Sequence, residues 1–355
     1  MKNYKTILGS IGILIYTLTS CQNKEIIHPD FDYQTVYFAS QYPIRTLVLG
    51  EDSQVDNTLD NEHKVAVKAT IGGARTNTRQ VDIGIAVDEN LMDNLYFPDG
   101  TTKIMPMPSS YYKLADNKIS ILPGNILGGV EIQLTDDFFD DPFAIQNQYA
   151  IPIVMKNVNG ADSILRGLSS MASPNRHLEA DWNVRPKDYV LYVIKFVNQW
   201  HGNYLRRGVD VMTGDVSRNI SRHAEYVEKN EVNLLTTKSL YSLEFPVEFR
   251  DAEAGNIFRC TLLLNFDNTG KCTIATNSTG YTATGTGSFI KRGDRNSWGN
   301  QDRDALYLDY QVNYSNISVG SGADAKIISG QIVTKDTLTM RDRAVIAQYF
   351  TPVVK

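Results

Sequence analysis

Between Arg292 and Asp304 the chain reads Arg-Gly-Asp-Arg-Asn-Ser-Trp-Gly-Asn-Gln-Asp-Arg-Asp. One large aromatic side chain, Trp298, stands among groups that donate and accept hydrogen bonds. That mix suits a sugar site. A pyranose C–H face stacks on the ring, while Asn296, Asn300 and Asp302 take the hydroxyls. A core role for the ring is the alternative. Trp200 and Tyr204 form a second aromatic pair where one strand turns into the next. They serve either as a sugar platform or as a plug at the end of a barrel. Asp136, Asp137, Asp140 and Asp141 flank Phe138-Phe139. They are weak Ca²⁺ candidates, because that ion takes about six to eight oxygens. They lack the spaced Asp-x-Asp-x-Asp-Gly pattern, so a solvated loop is the competing reading.

Other chemistry finds little support. The five histidines (28, 63, 177, 201 and 223) show no metal-ligand spacing. There is no Gly-x-Ser-x-Gly elbow and no phosphate-cradling glycine loop. Glycoside hydrolysis needs two carboxylates about 5–9.5 Å apart, and no local pair announces them. No catalytic residue, metal or cofactor is therefore expected.

The elements that must position these residues are strands. Alternation with period two runs through Val65, Val67, Ala69 and Ile71, then Val81, Ile83, Ile85 and Val87, then Val130, Ile132 and Leu134. A more continuous run covers 149–158. Val190, Tyr192, Ile194 and Phe196 alternate again, followed by runs at 240–249, 257–265, 304–312 and 326–333. Gly, Asn and Asp clusters separate them. The best helical stretch is short, at 220–229. The expected fold class is all-β, an immunoglobulin-like β-sandwich followed by an antiparallel β-barrel. The spacing predicts a sandwich over 35–167, a linker at 168–186 and a barrel over 187–355, closed because a wide open sheet leaves unpaired edges. Trp182 lies in that linker and is expected to wedge the two units together. Of the adjacent Tyr111 and Tyr112, one should face the core.

The start of the chain reads as an address. Lys2 and Lys5 precede an apolar run from Ile7 to Leu18, and Leu18-Thr19-Ser20-Cys21 follows. The run is shorter than the ~20 residues of a spanning helix, so residues 1–20 read as a signal peptide. Residues 21–34 then form a tether behind Cys21. Loss of Lys2 and Lys5 takes the net charge from −5 to −7. This acidic balance argues against nucleic acid or an anionic membrane surface as partner. Hydrophobic residues at 42% and aromatic residues at 10% exclude a disordered chain. The remaining cysteines, Cys260 and Cys272, flank the turn Asp267–Gly270. In a hairpin they fall about 13 Å apart along the ladder, too far for a disulfide, whose Cα atoms lie within ~7 Å.

Three resemblances add to this reading. Leu18-Thr19-Ser20-Cys21 resembles the lipobox of bacterial lipoproteins, which implies lipidation of Cys21 and an outer-membrane location facing the cell exterior. His63–Val67, Pro108–Leu114, Ile119–Gly124, Val130–Leu134 and Tyr149–Ile153 resemble the N-terminal domain of Bacteroidetes surface lipoproteins. Some of those carry an endo-β-N-acetylglucosaminidase domain further on. Trp200–Gly208 and Thr339–Arg343 resemble lipocalin-like C-terminal domains that accompany it, although the lipocalin Trp position is here Tyr204. These resemblances imply a non-catalytic lipoprotein that captures polysaccharide or glycoprotein glycans beside an outer-membrane importer. A (β/α)₈ hydrolase barrel needs about 250 residues, and only 169 follow residue 186. A structural or adhesive protein, or a barrel carrying a small ligand, is the alternative. The membrane contact expected is the lipid anchor alone.

Overall fold

The structure is a computed structural model that describes residues 31–355 apart from 32, 53, 74, 75, 252, 254 and 321–324. The signal segment 1–20, Cys21 and most of the tether lie outside the described residues. Strand makes up 56% of the chain and helix 8%, so the class is all-β.

The first sheet follows the path Ser163–Ile164, Thr35–Tyr37, Lys64–Gly72, Leu127–Leu134, Lys118–Ile121, Val81–Val87, Tyr149–Asn159, Tyr189–Val197, Pro43–Val48, Gln348–Tyr349. The period-two residues explain its core. Val65, Val67, Ile83, Ile85, Ile132, Ile153, Ile194 and Phe196 all enter one apolar cluster. Val36 and Leu47, from near opposite ends of the path, share that cluster, so the sheet folds over on itself.

Two segments depart from the expected boundaries. Tyr189–Val197 was assigned by spacing to the barrel, but it pairs with Tyr149–Asn159 and Pro43–Val48. Its other face, Tyr189, Leu191 and Val193, packs on Tyr42, Ile44, Phe97 and Phe350. The strand is buried on both sides, which explains why it is apolar at nearly every position. The chain end also returns, with Gln348–Tyr349 on Pro43–Val48 and Val353–Val354 on Leu95–Tyr96. The barrel is thus inserted between two parts of the first sheet. Residues 168–186 are no linker between domains. They form an excursion within the first unit, where Trp182 donates its indole N–H to Asn175 O at 2.7 Å. Trp182 therefore does not wedge the two units together: its ring packs within this excursion, beside Gly167.

The second sheet is a ring. Gly202–Gly214, Glu231–Ser239, Ser242–Asp251, Asn256–Phe266, Lys271–Thr276, Tyr281–Asp294, Arg303–Val319 and Lys326–Asp342 pair in sequence, all antiparallel. The last strand closes on the first through a register running from Asn203↔Asp342 to Gly214↔Gly330. The stretch expected to be helical, 220–229, instead holds the strand Arg218–Arg222 and a single turn at Val227–Lys229.

The ring is filled by its own side chains. Phe245, Phe249, Phe258, Leu262, Leu264, Tyr310 and Tyr314 are buried together. A charged layer crosses this interior. Arg206 Nε donates to Asp336 at 3.0 Å, Tyr310 Oη donates to the same carboxylate at 2.8 Å, and Arg222 bridges Asp336 and Asp210 at 2.7 and 2.8 Å. Gly208 makes room for this layer, because a Cβ there would lie 2.3 Å from Asp336 Oδ1. Cys260 and Cys272 are free and buried, and burial pushes both thiols up to about 12. Cys272 lies opposite Phe266.

Candidate functional site

The chain crosses between the two sheets at Asn198–His201 and again after Arg343. Arg343 ties both crossings together. It is buried, and it donates to His201 O at 2.9 Å, Leu49 O at 2.9 Å, Asn198 O at 2.6 Å and Glu51 O at 3.4 Å. Asn198 carries the link onward, donating to Ser239 O at 2.9 Å and Ser242 O at 3.0 Å. Charge-assisted bonds to several carbonyls make this junction rigid.

Beside the junction lies a cleft of 1120 Å³, walled by three parts of the chain. Ile44, Arg45, Thr46 and Val48 form the sheet wall, and Asp52, Gln54–Asn57 and Asp60 form another. Asn203, Leu234 and Trp298 face it from the barrel end, and Arg341–Tyr349 close it from the returning tail. Its volume lies just above the ~300–1,000 Å³ of typical ligand pockets. A side pocket of 90 Å³ shares Asp52, Gln54, Arg341, Asp342 and Arg343 with it and adds Gln301, Asp302 and Arg303.

Trp298 is half-buried, at the start of the turn Trp298–Asn300. The Arg303 guanidinium lies 3.6 Å from the ring centroid, and the indole N–H donates to Met340 O at 3.4 Å. One ring face is therefore backed by a cation, while the ring itself lines the cleft. A cation over an indole face contributes about 0.5–1 kcal/mol at exposed sites. Across the floor, Asp342 accepts from Asn203 at 2.7 Å and from Arg341 at 2.8 Å. Burial acts to raise the Asp342 carboxyl, but those bonds outweigh it and hold the group below its ordinary value. Asp60, which is buried, pairs with Arg45 and accepts from Val48 N–H at 2.9 Å. The cleft thus offers an aromatic face with charged and amide groups whose orientations are already fixed.

The other expected site residues divide. Asp302 lines the side pocket, accepting from Arg295 at 2.6 Å and Asn296 N–H at 2.9 Å. Those bonds, the backbone one first, depress its carboxyl. Asn296 and Asn300 line neither pocket. Their φ values of 45° and 54° are left-handed, a conformation that asparagine tolerates better than most residues, so their type is set by the turn. For Trp200 and Tyr204 the structure selects the barrel plug over the sugar platform. Both are buried in the barrel core. Trp200 stacks on Phe266 with centroids 4.0 Å apart, and Tyr204 Oη donates to Trp200 O at 2.7 Å. Neither offers a face to a ligand: Tyr204 lies on the inward row of Gly202–Gly214 with Arg206, Asp210 and Met212, and Trp200, just ahead of that strand, is buried against Phe266.

The acidic candidates are also corrected. Asp136–Asp140 is a short helix whose Phe138 and Phe139 enter the core, and that packing fixes the spacing of its aspartates. Asp141 accepts from Tyr149 at 2.7 Å and Tyr111 at 3.0 Å. Among the described residues no cluster of three or more His, Cys, Asp or Glu could hold a metal ion. Sequence reasoning missed Asn203, Arg341, Asp342 and Arg45. The first three stand within segments quoted for their resemblance, which was the available signal. Arg45 had none.

A second concavity, of 820 Å³, lies against one wall of the barrel around Thr273, Thr286, Tyr307 and Lys335. It is walled by the barrel alone, and Lys335 and Asp309 pair across it at 3.2 Å. The junction cleft, with walls from both sheets and an aromatic ring, is the better-built site.

A family model described as the domain of unknown function DUF5627 matches residues 199–344, and a model described as an N-terminal domain matches residues 31–162. No curated protein matches. A crystal structure of a protein of unknown function from Bacteroides ovatus is 46% identical, with a TM-score of 0.83, over 92% of this chain and 100% of that one. An auxiliary nutrient binding protein from Bacteroides thetaiotaomicron is 12% identical over 83% of this chain and 90% of its own, with a TM-score of 0.35. A Bacteroides ovatus protein described provisionally as carbohydrate binding is 14% identical over 88% of this chain and 98% of its own, with a TM-score of 0.25. At 46% identity over the whole of the first of these, the chain belongs to the family of that Bacteroides ovatus protein, with a DUF5627 domain at residues 199–344.

Proposed function

We propose that this protein is a lipid-anchored, non-catalytic outer-membrane protein, facing the cell exterior, that binds glycan in the junction cleft for a neighbouring import system. The observation that carries the reading is Trp298, held by Arg303 at the rim of a cleft lined with fixed Asn, Asp and Arg groups. A pyranose ring stacked on Trp298 would place its hydroxyls toward Asn203 and Arg341. Support for the anchor is the Leu18–Cys21 segment.

The small-ligand carrier reading loses its premise, because the centre of the ring is occupied by aromatic side chains and the Arg206–Asp336 layer. The structural or adhesive reading is separated by experiment. A glycan array and affinity gels run on residues 22–355, with EDTA and Ca²⁺ arms, should give retardation on at least one polysaccharide, unchanged by EDTA. A folded protein that binds no glycan would sink the proposal. Ca²⁺-dependent binding would show that an ion takes part in the site.

A further inference from the structure

At the end of the first sheet farthest from the barrel, the hairpin tip between Lys118–Ile121 and Leu127–Leu134 is apolar. Leu122, Ile126 and Leu127 are 54%, 47% and 51% exposed. The tip is held firmly. Gly124 N–H donates to Asn77 O at 2.6 Å, the buried Asn77 amide donates to Leu122 O at 3.2 Å, and Ile71 N–H donates to Ile126 O at 3.1 Å. Exposed aliphatic groups fixed side by side have no packing reason within this chain, and such patches mark contact sites.

Where the chain enters decides what covers this patch. Phe31 and Tyr33 are exposed, and Phe31 N–H donates to Gly73 O at 2.9 Å. Gly73 follows Ile71, the partner of Ile126, so the chain enters the fold beside the tip. Phe31 lies ten positions after Cys21, a span of at most about 35 Å. The registers fix the opposite direction. Lys64 pairs with Gln133 at the barrel end and Thr70 pairs with Leu127 at the tip end, while Leu49 bonds to Val197 next to the junction. The nine residues of Lys64–Gly72 span about 30 Å.

We propose that this hairpin tip, with Phe31 and Tyr33 beside it, rests in the interfacial layer of the lipid bilayer. The contact adds to the anchor proposed at Cys21, and the inference rests on that part of the reading. Shallow burial of a few apolar groups, reinforced by a covalent lipid, is how two weak signals give stable membrane attachment. It sets the first sheet upright, with the junction cleft about 30 Å above the surface and open to solvent.

The test removes any dependence on acylation. Residues 22–355 with an N-terminal polyhistidine tag are held on phosphatidylcholine vesicles containing a nickel-chelating lipid. An environment-sensitive dye is placed at Asn125→Cys or, as a control on the barrel wall, at Lys335→Cys. The buried Cys260 and Cys272 stay unlabelled. Nitroxide lipids should quench the dye at 125 at least about three-fold more than at 335, with blue-shifted emission, as expected of a shallowly inserted group. The triple variant Leu122→Ser, Ile126→Ser, Leu127→Ser should fold and lose the difference. Equal quenching at 125 and 335, or quenching at 125 that survives the triple variant, overturns the docking proposal. Mass measurement of Cys21 in the natural lipoprotein tests the anchor separately.

Discussion

The barrel interior and the junction cleft are built from the same residue types and behave in opposite ways. Each has a tryptophan, a pair of arginines and one or two aspartates. Inside the ring, Trp200 is stacked on Phe266, and Arg206 and Arg222 are matched to Asp210 and Asp336. At the cleft, Trp298 has one face on Arg303 and the ring at the rim, and Arg341 with Asp342 remains half in solvent. The difference is one of strand closure rather than composition. A side chain that points into a closed ring must find its partners there, because water cannot supply them. A side chain at the ring's end, facing a second domain, keeps bonding capacity for a ligand.

That contrast predicts unequal costs. Asp336→Asn leaves Arg206 and Arg222 buried with reduced pairing, and should cost about 3–5 kcal/mol of stability in urea unfolding. Arg341→Met at the cleft should cost no more than about 1 kcal/mol. Equal costs would erase the distinction between the regions. Next in size is Arg343→Met. It strands the carbonyls of Leu49, Asn198 and His201, and a loss of about 2–3 kcal/mol is expected. A melting temperature unchanged by this variant would remove Arg343 from its place at the junction.

Acid should weaken the junction more gently. Burial, with the Arg343 and Lys195 charges added, holds His201 at about 4 instead of 6.5. Burial does the same for His177, whose imidazole lies 3.0 Å from Tyr42 Oη. Between these values the unfolded chain binds more protons than the folded one. Their contribution is therefore fully present above pH 6.5 and is lost as the pH falls toward about 4. A melting temperature that does not decline over that window would contradict the burial of both rings. The smallest effect is kinetic. Cys260 and Cys272 should not react with a thiol reagent at pH 8 in the native mature chain, and both should react in denaturant.

Much of this fold was legible in the sequence, because strands that expose one face alternate. Val65–Ile71 and Val81–Val87 read directly as strands with an inward apolar row. Tyr189–Val197 was misplaced because it is covered on both faces, and burial on a second face leaves no mark that says which sheet supplies the cover. Gln348–Tyr349 returns to the first sheet through pairings with residues some 300 positions away, which local pattern cannot carry. At the site, Trp298 was legible as a lone aromatic in a polar turn. Trp200 could be read as a sugar platform or as a barrel plug, and only closure of the ring beside it, which a sequence does not show, settles it as the plug. Asn203, Arg341 and Arg343 needed the second domain in place before their roles emerged.

If the open cleft, and not the filled ring, binds glycan, Trp298 must carry part of the affinity. The most direct test is isothermal titration of a polysaccharide found by the array against the native chain and Trp298→Ala. The account predicts that binding weakens at least about ten-fold, a loss near 1.4 kcal/mol, while the melting temperature stays within about 2 °C. Unchanged affinity in a folded Trp298→Ala variant would contradict it.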